Sequence, residues 1–282
     1  MPSNLTHCAA LVRAADHDRY LATLFAPAEA REALFALDAF NIEISRVRDV
    51  AREPMPGEIR LQWWREVLEG QRDGEAQAHP VAAALRETLS RYAIAPARLV
   101  ALIDAHQFDL YDEPMATLDD FDRYATLTQS VVFALAGEIL GGQGDSVATL
   151  TRPAGIAYAA VTVLLDFARH SARGQVFVPL ELMERHGVKR EDLFAGRAGA
   201  PLNAALADWR QHARRALAGA AAAAGAVKPE ILPALLPLAT LGPTLRRLEQ
   251  RGNQPFQAEP LSRLRRQWLI WRAARDPRRV FS

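Results

Sequence analysis

Apolar residues recur at intervals of three and four positions along almost the whole chain, and this periodicity constrains the fold more than any other feature. Such spacing predicts helices that bury one face. The period-two alternation of strands is scarce, and residues 175–178 are the only short extended candidate. Breaks rich in Gly and Pro fall at residues 53–57, 141–144, 196–201 and 251–255. Helices are predicted over residues 29–52, 59–70, 81–92, 96–111, 118–140, 153–173, 203–225, 229–250 and 258–275.

The helices are expected to form one unit. Half of the 282 residues are hydrophobic, which is enough for a sizeable core. The sequence contains no convincing repeat and no linker long enough to separate domains. It therefore predicts an all-α single domain over residues 1–282, with a core from about residue 20 to residue 275.

Charge and cysteine content exclude several classes of protein. The net charge of +1 gives no overall field that would attract nucleic acid, so no nucleic-acid partner is expected. Cys8 is the only cysteine, which excludes an intrachain disulfide or a cysteine-ligated metal site. The N-terminus lacks the charged-then-apolar order of a signal peptide, and no run of about 18 apolar residues predicts a membrane span. A cytoplasmic location is the expectation.

Two predicted helices contain polar side chains that could bind a ligand or take part in catalysis. Positions four residues apart lie on one face of a helix, so Ser45 and Asp49 share a face near the end of the first predicted helix. Asp166 and His170 share a face in the helix predicted over 153–173. If the two helices face each other, Asp49 lies opposite Asp166 across a cavity.

These segments carry a family resemblance. Pro27-x-x-x-Arg31 precedes Ala33-Leu-Phe-Ala-Leu-Asp-Ala-Phe40, and Leu165-Asp166 precedes Arg173-Gly-Gln-Val-Phe-Val-Pro179. With weaker matches at Asp109 and Tyr124, the chain resembles the squalene/phytoene synthase family. That resemblance implies an isoprenoid-synthase-like helical bundle around a central cavity. It also implies condensation of prenyl diphosphates held by Mg²⁺ between two Asp-x-x-x-Asp motifs.

The chain departs from the family pattern in both motifs. The first reads Ser45-Arg-Val-Arg-Asp49 and the second reads Asp166-Phe-Ala-Arg-His170, so each keeps one carboxylate. Mg²⁺ requires hard oxygen ligands, and neither serine nor imidazole replaces a carboxylate well. Asp49 and Asp166 remain as weak metal-ligand candidates. We therefore expect no cofactor, or Mg²⁺ if the chain is catalytic.

Arginines surround the two remaining carboxylates. We expect an Arg–Asp network in the former metal cavity, because fixed guanidinium charges can stand in for missing cations. The same residues are candidates for binding an anion or diphosphate without a metal. The alternative is ordinary ion pairing on helix surfaces. The arginines concerned are Arg46, Arg48, Arg169 and Arg173.

Four further segments favour one subgroup of the family. They are Phe40-Asn-Ile-Glu43, Gln62-Trp-Trp64, Tyr124-Ala-x-x-Thr-Gln-Ser130 and Glu138-Ile-Leu-Gly141. They resemble the subgroup of the mitochondrial complex I assembly factor with a phytoene-synthase-like domain. The resemblance implies a non-catalytic role in respiratory complex I assembly, with complex I subunits or assembly proteins as partners. The alternatives are an active prenyltransferase and a module that binds lipid or anions, including a prenyl ligand.

The last predicted helix is basic and amphipathic. Leu261, Leu264, Trp268 and Trp271 are interpreted as one apolar face surrounded by arginines. Such a helix can lie on an anionic membrane, or it can cover its own core. The first interpretation predicts a peripheral position at the inner membrane.

Overall fold

The chain is described by a computed structural model over residues 4–51, 53–226, 228–250 and 254–282. The predicted all-α fold is confirmed, because no strand occurs among these residues. The α-helices are α1 (Asn4–Ala15), α2 (His17–Thr23), α3 (Ala28–Ser45), α4 (Val47–Val50), α5 (Pro54–Leu68), α6 (Asp73–Ala78), α7 (Pro80–Arg91), α8 (Ala97–His106), α9 (Leu118–Ala125), α10 (Val131–Ile139), α11 (Asp145–Leu165), α12 (Phe167–Ala172), α13 (Leu180–Arg185), α14 (Arg190–Phe194), α15 (Ala200–Ala223), α16 (Leu232–Leu235), α17 (Leu241–Gln250) and α18 (Arg263–Arg275).

The centre of the bundle is the pairing of α11 with α15. The buried Trp209 of α15 donates its indole N–H to the carbonyl of Ala160 in α11, at 3.1 Å. On another side of α11, a Cβ built on Gly155 would lie 2.3 Å from the backbone nitrogen of Ser130. Glycine is therefore required where α11 approaches the π-helical segment Thr126–Ser130. This close approach fixes the cavity-facing side of α11.

Both helices that carry the motifs are interrupted at the motif, where the sequence predicted continuous helices. The predicted helix 29–52 is α3 followed by α4, with a break at Arg46 (φ −98°, ψ 6°). The predicted helix 153–173 is α11 followed by α12, with a break at Asp166 (φ −92°, ψ 5°). Backbone angles near ψ = 0° lie outside the regular helix, so i,i+4 stacking across each break is no longer assured.

Several other helix bounds also differ from the prediction. A break was predicted at 53–57, but α5 begins at Pro54, because proline is well suited to the first position of a helix. The sequence predicts a helix that begins at Pro153, but this residue lies inside α11. The predicted helix 229–250 is divided into short 3₁₀ and α segments before α17. The extended candidate 175–178 forms no strand.

The sequence predicted no membrane span, and one described helix, α11, has the length and composition of such a span. This helix is long and apolar enough to cross a bilayer, but 67% of its apolar window is buried inside the fold. Its packing against α15 accounts for that apolar composition, as expected of a core helix in a bundle.

Candidate functional site

A cavity of about 290 Å³ opens between the α3–α4 and α11–α12 segments. Ser45, Asp49, Asp166 and His170, the four motif positions identified in the sequence, all line it. The structure thus brings both altered motifs to one place. Their roles in binding or catalysis stay predictions.

Arg169 bridges the two carboxylates that the motifs retain. One terminal nitrogen lies 2.8 Å from Asp49 Oδ1, and the other lies 2.7 Å from Asp166 Oδ2. Arg173 donates a further hydrogen bond to Asp49 Oδ1, at 2.5 Å. Asp49 thus binds the guanidinium groups of Arg169, which lies in α12, and of Arg173, the residue after α12. The ion pairs join the ends of the two interrupted helices.

The electrostatics of Asp49 follow from these contacts. Partial burial opposes its ionisation, but hydrogen bonds and positive charge from Arg173 and Arg169 outweigh that effect and lower the pKa of Asp49. Burial likewise opposes the charge of Arg169, whereas Asp166 and Asp49 raise its pKa overall. Asp49 and Arg169 are therefore both charged at neutral pH, and each stabilises the charge of the other.

The residues present do not fit the Mg²⁺ that the family resemblance implies. Within the described ranges, no group of three or more His, Cys, Asp or Glu side chains is placed to hold a metal ion. The oxygens of Asp49 and Asp166 are directed to guanidinium groups. Ser45 and His170 offer poor ligands for a hard cation. No reaction step through Mg²⁺ follows from this arrangement.

The other two predicted anion-binding arginines are placed differently. Arg48 is directed to Asp112, at 3.3 Å, and does not line the cavity. Arg46 is at the cavity rim, where its side chain is 55% exposed and lies 3.9 Å from Asp49. The four arginines therefore do not converge on one point. Arg48 lies one residue before Asp49 and is therefore on a different side of α4 from the cavity.

A second polar cluster, which the sequence did not predict, reaches another wall of the cavity through Asp16, Gln129 and Tyr158. The buried Arg19 contacts Asp38 at 3.2 Å and the side-chain oxygen of Gln129 at 3.0 Å. Tyr158 donates its hydroxyl to Asp16 at 3.1 Å. Burial raises the pKa of Asp38 to about 6, and the charge of Arg19 opposes that rise. No local motif marks these residues, because the interactions join α2, α3, α11 and the π-helical segment.

A third cluster, formed by His106, Asp109 and Tyr124, also lines the cavity. His106 Nδ1 lies 2.6 Å from Asp109 Oδ2, and Tyr124 donates to Asp109 Oδ1 at 2.8 Å. His106 Nε2, Asn41 Oδ1 and His170 Nδ1 are buried and have no hydrogen-bond partner among the described residues. The His106-x-x-Asp109 spacing was the available sequence signal for this cluster.

Two residues of the segment after α12, Gln175 and Phe177, contact the wall of the cavity. Gln175 donates to the carbonyl of Asp109 at 2.7 Å. Phe177 lines the cavity with its ring centroid 4.7 Å from that of His170. Both side chains therefore support the wall and bring no charge to it.

We predict that His170 makes the stability of the fold sensitive to acid. Burial lowers its pKa from 6.5 to about 4. The unfolded chain thus binds the proton more readily, and stability is lost as pH falls from about 6.5 towards 4, by up to about 3 kcal/mol. The His170→Gln protein should lose less stability over this pH range, which is measured by urea unfolding at pH values near 6.5 and near 4.

Thr162→Ser, on the same wall, is the matched control because it changes no titrating group. It should show the same loss as the wild-type chain. An equal loss in the His170→Gln protein would contradict the assignment to His170.

Comparison with known proteins shows the family to which this chain belongs. The Squalene/phytoene synthase profile matches residues 12–272. Complex I assembly factor 6 of Rattus norvegicus is 29% identical over 250 residues, covering 89% of this chain and 75% of the relative. The Homo sapiens protein of that name is 29% identical, covering 86% of this chain and 73% of the relative. The 15-cis-phytoene synthase of a Synechocystis species is 26% identical, covering 63% of this chain and 56% of that enzyme.

Solved structures show the same fold at lower identity. A dehydrosqualene synthase superimposes with a TM-score of 0.81 at 16% identity, covering 95% of this chain and 94% of that one. Squalene synthase HpnC from Alicyclobacillus acidocaldarius gives a TM-score of 0.70 at 19% identity, covering 96% and 93%. The family profile spans nearly the whole chain, and the fold agrees with it. The chain belongs to the squalene/phytoene synthase family.

Proposed function

We propose that this chain is a non-catalytic member of the squalene/phytoene synthase family that acts in the assembly of respiratory complex I. The observation that carries the proposal is the placement of Arg169 between Asp49 and Asp166. The space between the two motifs, where the family resemblance implies Mg²⁺, holds a fixed cation instead. Mg²⁺ binds carboxylate and diphosphate oxygens in one coordination shell. A guanidinium is covalently attached to the chain and has no coordination shell, so it cannot join the two groups in this way.

The relatives support the assembly role. Complex I assembly factor 6 from two mammals aligns with more than four-fifths of this chain. We propose complex I subunits or assembly proteins as its partners and the cytoplasm, at the inner membrane, as its location. Fold alone does not determine function, so the altered site and the relatives carry the proposal together.

Cavity size also favours a non-catalytic role. A volume of about 290 Å³ is at the lower limit of ordinary small-ligand pockets, which extend from roughly 300 to 1,000 Å³. Head-to-head condensation requires space for two prenyl chains at once. One short ligand fits such a volume better than two long substrates do.

The proposal predicts that deletion of the gene from its source organism lowers the amount of assembled complex I, measured on native gels by NADH oxidation. The wild-type gene should restore it. The purified protein incubated with farnesyl or geranylgeranyl diphosphate and Mg²⁺ should yield no condensation product.

Unchanged complex I in the deletion strain would refute the assembly role. Product that disappears in Asp49→Ala or Asp166→Ala protein would refute the non-catalytic assignment and support the prenyltransferase alternative. The two results are independent, so each part of the proposal can fail separately.

A second candidate function is binding of one amphiphilic ligand in the cavity. It is favoured by the three unpartnered polar atoms of Asn41, His106 and His170. Buried polar atoms are nearly always hydrogen-bonded, either to protein, to water or to a ligand. Asn41 Oδ1 is a hydrogen-bond acceptor to which a hydroxyl can donate, so a hydroxyl head group suits the cavity better than a diphosphate.

This candidate predicts that a prenyl alcohol raises the melting temperature more than the diphosphate with the same chain does. Asn41→Leu should reduce the shift, because it removes an acceptor that faces the cavity. Thr151→Val is the control, since the Thr151 hydroxyl is bonded within its own helix to the carbonyl of Val147. No shift with the alcohol, or an equal shift in the Asn41→Leu protein, would refute ligand binding here.

A further inference from the structure

Helix α18 has two apolar faces, and only one of them is covered by the fold. On the inner face Ile270 and Ala273 are fully buried, and Arg266 forms a two-pronged pair with Asp18 at 2.9 Å. This face packs on α2 and on the 3₁₀ segment Leu236–Thr240. The inner face therefore accounts for the attachment of the helix to the core.

The outer face carries large apolar side chains that the core does not use. Leu264 is 80% exposed, Trp268 is 50% exposed and Trp271 is 43% exposed. Spacings of four and three residues place them on one line along the helix. Leu261, which the sequence analysis assigned to the same apolar face, is instead buried. The exposed line is thus Leu264, Trp268 and Trp271, which we call the outer stripe.

Positive charge is concentrated beside the outer stripe. The helix contains five arginines and no acidic residue, and of these five only Arg266 has an ion pair within the described part of the chain. The guanidinium of Arg272 lies 4.3 Å from the centre of the Trp268 ring, and that of Arg275 lies 4.0 Å from the Trp271 ring. The whole chain has a net charge of only +1, so the surface of α18 is much more basic than the rest of the chain.

The shape and size of the stripe distinguish between two kinds of partner. Its exposed apolar area is on the order of 300–400 Å², whereas a stable protein interface buries about 800 Å² on each partner. A single convex helix also offers no groove for a rigid partner. A lipid surface adapts to a convex helix, and Trp and Arg are suited to the head-group region of a bilayer.

We propose that the outer face of α18 binds an anionic membrane surface. The outer stripe enters the interfacial region, and the guanidinium groups of Arg265, Arg272 and Arg275 contact lipid phosphates. The inner face remains on the core, so the domain is held at the membrane as a folded unit.

The test is co-flotation of the full-length purified protein with vesicles of phosphatidylcholine, with and without phosphatidylglycerol. Point variants are preferable to removal of α18, because its inner face is part of the core. The wild-type protein should bind the anionic vesicles, with weaker binding at higher salt and a blue shift of tryptophan fluorescence. Trp268→Ser/Trp271→Ser and Arg265→Gln/Arg272→Gln/Arg275→Gln should each lower the partition coefficient by about tenfold or more.

Helix α14 offers a matched control. There Arg190 lies 5.6 Å from the ring of Phe194, and Phe194 is 42% exposed, so an exposed aromatic–arginine pair recurs on a different surface. Arg190→Gln/Phe194→Ser should leave flotation unchanged. Circular dichroism and melting temperature verify that every variant is folded.

Absence of wild-type binding to anionic vesicles would overturn the proposal. An equal loss of vesicle binding in the α14 control and in the α18 variants would also overturn it. Variants of α18 that float normally but fail to restore complex I would assign the stripe to a protein partner and overturn the membrane assignment.

Discussion

The bridge from Arg169 to Asp49 and Asp166 is the interaction on which the site depends. It joins α4 and α12, two short helices that each follow a break in a longer helix. Neither is long enough to be stable without tertiary contacts, so their positions are set by what they contact. An exposed ion pair is worth only about 0.2–1 kcal/mol, but this cluster is partly buried, Asp49 binds two guanidinium groups, and Arg169 binds two carboxylates.

The bridge also changes what the cavity can do. Two carboxylates with free oxygens attract a divalent cation, whereas two carboxylates that already bind guanidinium groups do not. Asn41, His106 and His170 also line the cavity, and each has a buried polar atom with no hydrogen-bond partner among the described residues. The fold of a diphosphate-handling family is thus kept around a site of different electrostatic character.

The sequence predicted the helical class, the family and the residues that meet at the cavity, because these depend on periodicity and on motif spacing. It did not predict the breaks at Arg46 and Asp166, since i,i+4 stacking assumes a continuous helix. Nor did it predict that Arg48 is directed to Asp112 and away from the cavity. The buried Arg19–Asp38 pair was also missed, because charged residues are usually placed at the surface and its partners are far apart in sequence.

The central claim is that the guanidinium bridge has replaced a metal–diphosphate site. It is tested most directly by thermal unfolding of the purified protein in inorganic pyrophosphate, with and without Mg²⁺. A ligand that binds the native state raises the melting temperature by mass action, so a functional site would give a Mg²⁺-dependent rise. The bridge predicts no such rise. A Mg²⁺-dependent rise that disappears in Asp49→Asn or Asp166→Asn protein would contradict it.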